Sequence, residues 1–342
     1  VTDGPPSDDA LLYDVWLGYL RTGAVVVAHE LGLFEALAAG ARSTAELARD
    51  LACDERSVAA ISGVLLALDF LRREGPALAL TESARRFLLR ASPESWESVL
   101  TRLRGKPDHV RIREAIRPTA AESSHLAHGG RTFTQMWEEG DLTPEAATHF
   151  TQGMHATIFA AAASAAVSGA FTGVRRMLDV GGGSGAFAMA LTERDPGLTV
   201  EIFDLPAVCE AARGYFAASP AAARIELRPG NFFGEAWPQG HDGILFSNIF
   251  HDWSPEVCAD LARRAYASLP PGGRVFAHEM LLDDDKCGPL TTACFSLLMH
   301  VNHASQQFSR RELTQLLEGV GFAEIRVIPT SGYYSVVTGL KR

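Results

Sequence analysis

The run Met177-Leu178-Asp179-Val180-Gly181-Gly182-Gly183-Ser184-Gly185 is an apolar strand that breaks into a turn with four glycines in five positions. A turn stripped of Cβ atoms lets a ligand lie against bare backbone, and glycine reaches φ values closed to other residues. With the helix expected over residues 186–193, it makes the opening unit of a doubly wound α/β sheet. Gly181, Gly183 and Ala186 satisfy the G-x-G-x-x-G/A dinucleotide fingerprint, and Asp204, ending the next apolar run, stands where an acidic residue would take ribose hydroxyls. A dinucleotide is therefore one reading, and a tight turn with no ligand is another. S-adenosylmethionine (SAM) fits better. Asp179 sits two residues before the turn and suits the cationic methionine end of SAM, directly or through water; the fingerprint lies past mid-chain; and no substrate domain follows it.

A length of 342 residues suggests two domains, and 47% hydrophobic residues suffice for a sizeable core. The net charge of −10, with no basic stripe to offset it, argues against a nucleic-acid or anionic-membrane partner. The five cysteines are scattered, odd in number and without CxxC spacing, which fits a reducing cytoplasm. No run is expected to approach the roughly 18 apolar residues of a membrane span. Residues 1–10 are expected to form a disordered polar tail, unlike a signal peptide.

Residues 11–150 read as a mainly helical domain. Ser43-Thr44-Ala45-Glu46 is a capping box, the apolar-periodic helix through Val58, Ile61 and Leu65 follows, and a short strand falls near residues 77–80. This is a winged-helix pattern, read as a dimerisation module rather than a DNA-binding domain because of the acidic balance. Thr143-Pro144-Glu145 opens a long Ala-rich helix into a second domain over residues 151–342. There strands and helices alternate, predicting a doubly wound Rossmann-like α/β sheet of seven strands whose last pair is antiparallel. Ligands gather at the carboxyl ends of such strands. Those ends are Gly181, Asp204, Gly230-Asn231-Phe232, Asn248-Ile249-Phe250-His251 and Glu279. Asp204 would take the ribose, and Asn231 and Phe232 would bracket the adenine, by a hydrogen bond and a ring face.

The glycine turn, Phe203-Asp204-Leu205-Pro206, Gly230-Asn231-Phe232-Phe233 and Ser247-Asn248-Ile249-Phe250-His251-Asp252-Trp253-Ser254 together resemble the small-molecule O-methyltransferases of plant phenylpropanoid type and their bacterial natural-product relatives. The resemblance covers almost the whole chain. It implies a homodimer whose N-terminal domain closes over the partner's active site. It also implies a small-molecule acceptor, and a SAM site built from Asp179, Gly181, Gly183, Gly185, Asp204, Leu205, Asn231, Phe232 and Ser247. His251 matches the general base and Glu279 an acidic residue that orients it, while Met154, Asp252 and Met299 fall at substrate-facing positions. Two departures stand out. The second acidic residue beside the base falls at Gln307, and Asn231 stands where Asp is usual.

In place of the missing carboxylate, Met299-His300-Val301-Asn302-His303 puts two histidines where the resemblance places the acceptor pocket. His251, His300 and His303, with Glu279 near, could supply N and O ligands for Zn²⁺ or Fe. The bland reading is that His300 and His303 are pocket or helix-face residues. A branch of the family methylates the β-carbon of α-keto acids for nonribosomal-peptide building blocks, where a metal acts as Lewis acid on the enolate. The favoured expectation is therefore metal-assisted C-methylation of a small α-keto acid. The alternative is O-methylation of a phenolic natural product with His251 as base, and a more distant one is a winged-helix regulator that senses a metabolite.

Overall fold

The computed structural model describes residues 9–116, 133–217, 219–303 and 305–342. Most of the tail expected over residues 1–10 therefore lies outside the described residues. In chain order come α1 (Ala10–Trp16), α2 (Gly18–Leu31), α3 (Leu33–Ala36), α4 (Thr44–Asp50), α5 (Glu55–Ala67), β1 (Leu71–Glu74), β2 (Ala77–Leu80), α6 (Glu82–Phe87), α7 (Glu97–Leu103), α8 (Pro107–Ile116) and α9 (Phe133–Glu139). There follow α10 (Pro144–Val167), β3 (Arg176–Val180), α11 (Ala186–Arg194), β4 (Thr199–Asp204), α12 (Pro206–Phe216), β5 (Ile225–Pro229), β6 (Gly243–Ser247) and α13 (Pro255–Ser268). The last are β7 (Arg274–Met280), α14 (Leu290–His303), α15 (Arg310–Val320), β8 (Ala323–Pro329) and β9 (Tyr334–Leu340).

Two compact units result, neither contiguous in sequence: residues 11–133 with 282–309, and residues 134–281 with 310–342. The linear division at 150 differs from this partition. All of α10 belongs to the α/β unit, and α14 belongs to the helical one. Apolar periodicity announces that a helix will be buried but not against what. The apolar face of α14, with Phe295, Leu297 and Leu298, is buried among the helices of the first unit.

In the helical unit, the capping box forms as expected: Glu46 N–H reaches the Ser43 hydroxyl, and the Glu46 carboxylate takes the Ser43 N–H at 2.8 Å. After α4 and α5 comes the antiparallel β1–β2 hairpin, the wing of the expected pattern. One expectation is corrected. The α1–α2 stretch, Ala10–Leu31, is long and apolar enough to cross a membrane, at mean hydropathy 1.3, because Asp14, Arg21 and Glu30 interrupt its apolar letters without lowering the average enough. Leu17, Leu20, Ala24 and Val27 on it are fully buried, as in the core helix of a folded domain.

The α/β unit holds a seven-stranded sheet in the order β5-β4-β3-β6-β7-β9-β8, with the first five strands parallel and β9 antiparallel to both neighbours. Apolar runs such as Ile244, Leu245 and Phe246 are buried, as a sheet covered on both faces requires. The chain winds outward from β3 through β4 to β5, then restarts on the other side at β6. Strand order thus reverses between β3 and β6, and the crevice at their carboxyl ends is where such a sheet receives ligands. Thr143 caps α10, its hydroxyl accepting the Ala146 N–H at 3.2 Å, and the small Ala face of that helix packs on α11 and α12.

Candidate active site

The turn after β3 is shaped by what its glycines exclude. Gly181 has φ +69, and a Cβ there would lie 2.4 Å from Ile249 Cδ1; a Cβ on Gly182 would lie 2.7 Å from the Asp179 carboxylate. Gly183 (φ +54) faces open space, and Gly185 (φ +76) begins α11. Ser184 is held from behind by His155 of α10, whose Nδ1 lies 2.8 Å from its hydroxyl.

Two carboxylates lie under this turn. Asp179 is 1% exposed and neither of its oxygens has a hydrogen-bond partner, a costly arrangement for an ionised group. Burial, then the nearby Asp204 charge, pushes its pKa up to about 7. Asp204 is also buried and its pKa is raised to about 6 by burial, against the pull of the two N–H groups it accepts, Gly183 at 2.9 Å and Leu205 at 2.7 Å. Paired acids with unused lone pairs beside a bare-backbone cradle suit a cationic, hydroxyl-bearing ligand. The sulfonium, amine and ribose of SAM have that chemistry.

Asn231 has its amide already engaged: Nδ2 donates to the Glu138 carbonyl at 2.8 Å and Oδ1 accepts the Phe233 N–H at 2.9 Å. It ties the end of α9 to the loop after β5, leaving the adenine contact expected of it to compete with backbone. Phe232, buried, lies against the turn, its Cε1 3.6 Å from where a Gly181 Cβ would be, and it packs on Phe233, which meets Trp253. Ser247, half-buried, places its hydroxyl 3.2 Å from His278 Nδ1. Leu205 is buried and leads into α12.

At the ends of β6 and β7 stands a histidine–carboxylate pair. His251 is 3% exposed on a short 3₁₀ turn, and its Nδ1 lies 2.7 Å from Glu279 Oε2. The other oxygen of Glu279 accepts the N–H groups of Ile249 (3.1 Å) and Phe250 (2.9 Å), so one buried carboxylate organises the turn and the ring together. Asp252 stands 3.6 Å from Nε2. Burial alone would lower the His251 pKa, but the Glu279 and Asp252 charges and the Glu279 hydrogen bond outweigh it and raise the value to about 9. Such a ring is strongly basic for an imidazole, and its Nδ1 is committed to Glu279.

The expected metal set gains no support. His300 lies on α14 in the helical unit, and its Nε2 lies 2.8 Å from the Ser57 hydroxyl, joining α14 to α5. Burial and Arg56 lower its pKa despite Asp54, and its ring is bonded to a neighbouring helix, in keeping with the helix-face reading of the sequence. Among the described residues no three His, Cys, Asp or Glu side chains gather where they could hold a metal. The His303 side chain lies outside the described residues. Met299 is buried on α14 and Met154 half-buried on α10. Gln307, at the position of the missing carboxylate, is fully buried in the helical unit with neither amide atom hydrogen bonded.

Sequence reasoning passed over Asn248 as a mere strand end and did not weigh His278, Tyr334, His155 or Cys258. The Cys258 thiol donates to the Phe250 carbonyl at 3.1 Å, bracing the His251 turn from α13. His278, Tyr334, His155 and Cys258 belong to no motif the sequence announces; only their odd polarity in apolar runs, as with His278 in Val275-Phe276-Ala277-His278, could have drawn notice.

Comparison with known proteins completes the assignment. An O-methyltransferase domain matches residues 111–323 and an O-methyltransferase dimerisation domain matches residues 13–90. The 3-hydroxy-5-methyl-1-naphthoate 3-O-methyltransferase of Streptomyces sahachiroi is 33% identical over 336 residues, 97% of this chain and 95% of that protein. The crystal structure of an O-methyltransferase family 2 protein from Planctomyces limnophilus in complex with apigenin is 26% identical, with a TM-score of 0.87 over 99% of this chain and 97% of that one. Human N-acetylserotonin methyltransferase in complex with SAM is also 26% identical, with a TM-score of 0.60 over 99% of both chains. These relatives give no support to the favoured expectation of C-methylation on an α-keto acid, nor to its metal; they favour the O-methylation set beside it. The chain belongs to the O-methyltransferase family and is a SAM-dependent methyltransferase.

Proposed function

We propose that this protein transfers the methyl group of SAM to a phenolic hydroxyl of an aromatic natural product, with His251 as general base and Glu279 orienting it. The observation that carries the reading is the buried His251–Glu279 pair at the ends of β6 and β7, beside the strand whose glycine turn and acids suit SAM. A relative that methylates a hydroxynaphthoate on oxygen and a structural neighbour holding apigenin support a hydroxylated aromatic acceptor. SAM supplies an electrophilic methyl on a positively charged sulfur. His251 Nε2 takes the phenolic proton as the oxygen attacks the methyl carbon, and the carbon–sulfur bond breaks to leave a neutral thioether. The basicity of His251 matters here. Against a phenol of pKa about 10, an ordinary histidine falls short by about 3.5 units, about 5 kcal/mol, whereas His251 falls short by about one unit, about 1.4 kcal/mol.

The direct test is mass-spectrometric screening with labelled SAM against hydroxylated aromatics and α-keto acids, with and without chelator. Methyl label on phenolic oxygen, indifferent to chelator, is expected; label only on α-keto acid carbon would overturn the reading. The pH profile follows from the raised pKa. His251 is protonated, and idle as a base, below about pH 9, so kcat/KM should climb about tenfold per pH unit on the acid side and level off near pH 9. A profile already flat at pH 7 would contradict it.

Asp179 gives a second pH dependence. Its carboxyl is neutral below about pH 7, and a cation placed beside it favours the ionised form. Binding of SAM is therefore expected to tighten from pH 6 to pH 8 and to release a fraction of a proton at pH 6.5. Calorimetry in buffers of different ionisation heat measures this directly, and a buffer-independent heat would rule it out.

The dimerisation-domain match, with Leu11, Leu12, Val15 and Trp16 exposed on α1, supports a homodimer. The five free cysteines fit work in a reducing cytoplasm.

A further inference from the structure

Between β6 and the His251 turn stands a residue in an uncommon backbone state. Asn248 has φ +55, the left-handed region that few non-glycine residues enter and that Asn tolerates better than most. Its own N–H donates to the His278 carbonyl at 3.1 Å, the last link to β7. Immediately beyond it, the N–H groups of Ile249 and Phe250 both reach one oxygen of Glu279. Consecutive N–H groups of an extended strand point to opposite edges. The left-handed step ends that alternation, so that two of them converge on one carboxylate and His251 on its other oxygen.

Such a conformation persists where its surroundings over-determine it. Here the side chain does so. Asn248 Nδ2 donates to the Tyr334 hydroxyl at 3.1 Å, with Asn248 7% and Tyr334 2% exposed. Tyr334 is itself fixed. It pairs with Met280 at the start of β9, and its ring stacks on His278 with centroids 4.5 Å apart and planes 2° from parallel. His278 in turn reaches Ser247, so Ser247, His278, Tyr334 and Asn248 form one chain of contacts beneath the turn.

We infer that Asn248 and Tyr334 are positioning residues: the hydrogen bond between them holds the left-handed step that delivers Ile249, Phe250 and His251 to Glu279, and thereby aims His251 Nε2 at the acceptor. The inference rests on the reading of His251 as base. It adds that the aim of the base is set from β9, by a residue 86 positions beyond Asn248 in sequence.

Two conservative substitutions test it. Tyr334→Phe keeps the ring and its stack and removes only the hydroxyl; Asn248→Gly keeps access to the left-handed φ and removes only the amide. Two readouts apply: kcat and KM with the acceptor found by screening, and the deshielded Nδ1 proton of His251, followed by NMR in histidine-labelled protein without any acceptor. Each single variant is expected to lower kcat about three- to tenfold with KM for SAM within about twofold, and the double variant to fall no further than the worse single one, since both cut one link. In all three the Nδ1 resonance should move upfield and broaden. A Tyr334→Phe protein with wild-type kcat and wild-type resonance overturns the proposal. So does a loss of melting temperature accompanied by equal changes in kcat and KM, which would make the pair merely structural. If the resonance moves as expected but His251→Ala turns over at the wild-type rate, the base assignment falls while the hold on the turn stands.

Discussion

Replacing His251 by alanine is expected to lower kcat by about 10²–10⁴-fold while SAM affinity stays within about twofold, the range a positioned general base contributes. The separation of effects follows from the fold. His251 stands on the turn after β6, whereas the acids and glycines that suit SAM belong to β3, β4 and the turn between β3 and α11. Stability should change modestly. Glu279 loses its bond to the ring but keeps the N–H groups of Ile249 and Phe250, so its buried charge remains partly compensated. Steady-state kinetics beside calorimetric SAM binding checks the prediction. A loss of less than about tenfold, or loss of SAM binding in step with turnover, would mean that His251 is not the base.

Glu279→Gln should be nearly as severe, of the order of 10³-fold in kcat, for a different reason. The amide oxygen can still accept the two backbone N–H groups, so the turn survives. The amide nitrogen then faces His251 Nδ1 as a donor and forces the neutral ring to carry its proton on Nε2, where it cannot receive one from the acceptor. The substitution also removes the largest of the charges that raise the His251 pKa. The remaining activity should therefore level off well below pH 9, and that downward shift distinguishes a lost orienting charge from simple damage. Glu279→Ala would be a poorer test, because it strands two buried N–H groups at about 1–3 kcal/mol each. A Gln variant retaining turnover within about tenfold, or keeping its limb near pH 9, would count against the orienting role.

The sheet was legible in the sequence because buried parallel strands announce themselves as short apolar runs between turn residues, and each run ends in something polar or small: Gly181, Asp204, Glu279. The pairing of His251 with Glu279 was legible only through resemblance, since a separation of 28 positions carries no local sign of it. His300 misled because a histidine on an apolar helix looks like a ligand until its partner is known, and Ser57 lies 243 residues earlier. Asn248 and Tyr334 were invisible for the same physical reason. Their contact is made by strand order, by β9 inserting between β7 and β8, and not by spacing along the chain. The affiliation of α14 was hidden likewise, because a buried face does not name its neighbour.

The excursion of residues 282–309 into the helical unit bears on how such a chain comes off the ribosome. When residues 11–133 have emerged, their core still lacks α14, and when β7 has emerged it remains an unpaired sheet edge until β9 is made, more than fifty residues later. Neither interior can close on a nascent fragment, and the long-range strand pairing that finishes the sheet is the slow kind, with an exposed edge prone to foreign pairing in the meantime. For the same reason no single cut yields two autonomous pieces. Isolating the α/β unit calls for removing the residues before Thr134 and also excising residues 282–309, with the gap from Leu281 to Arg310 bridged.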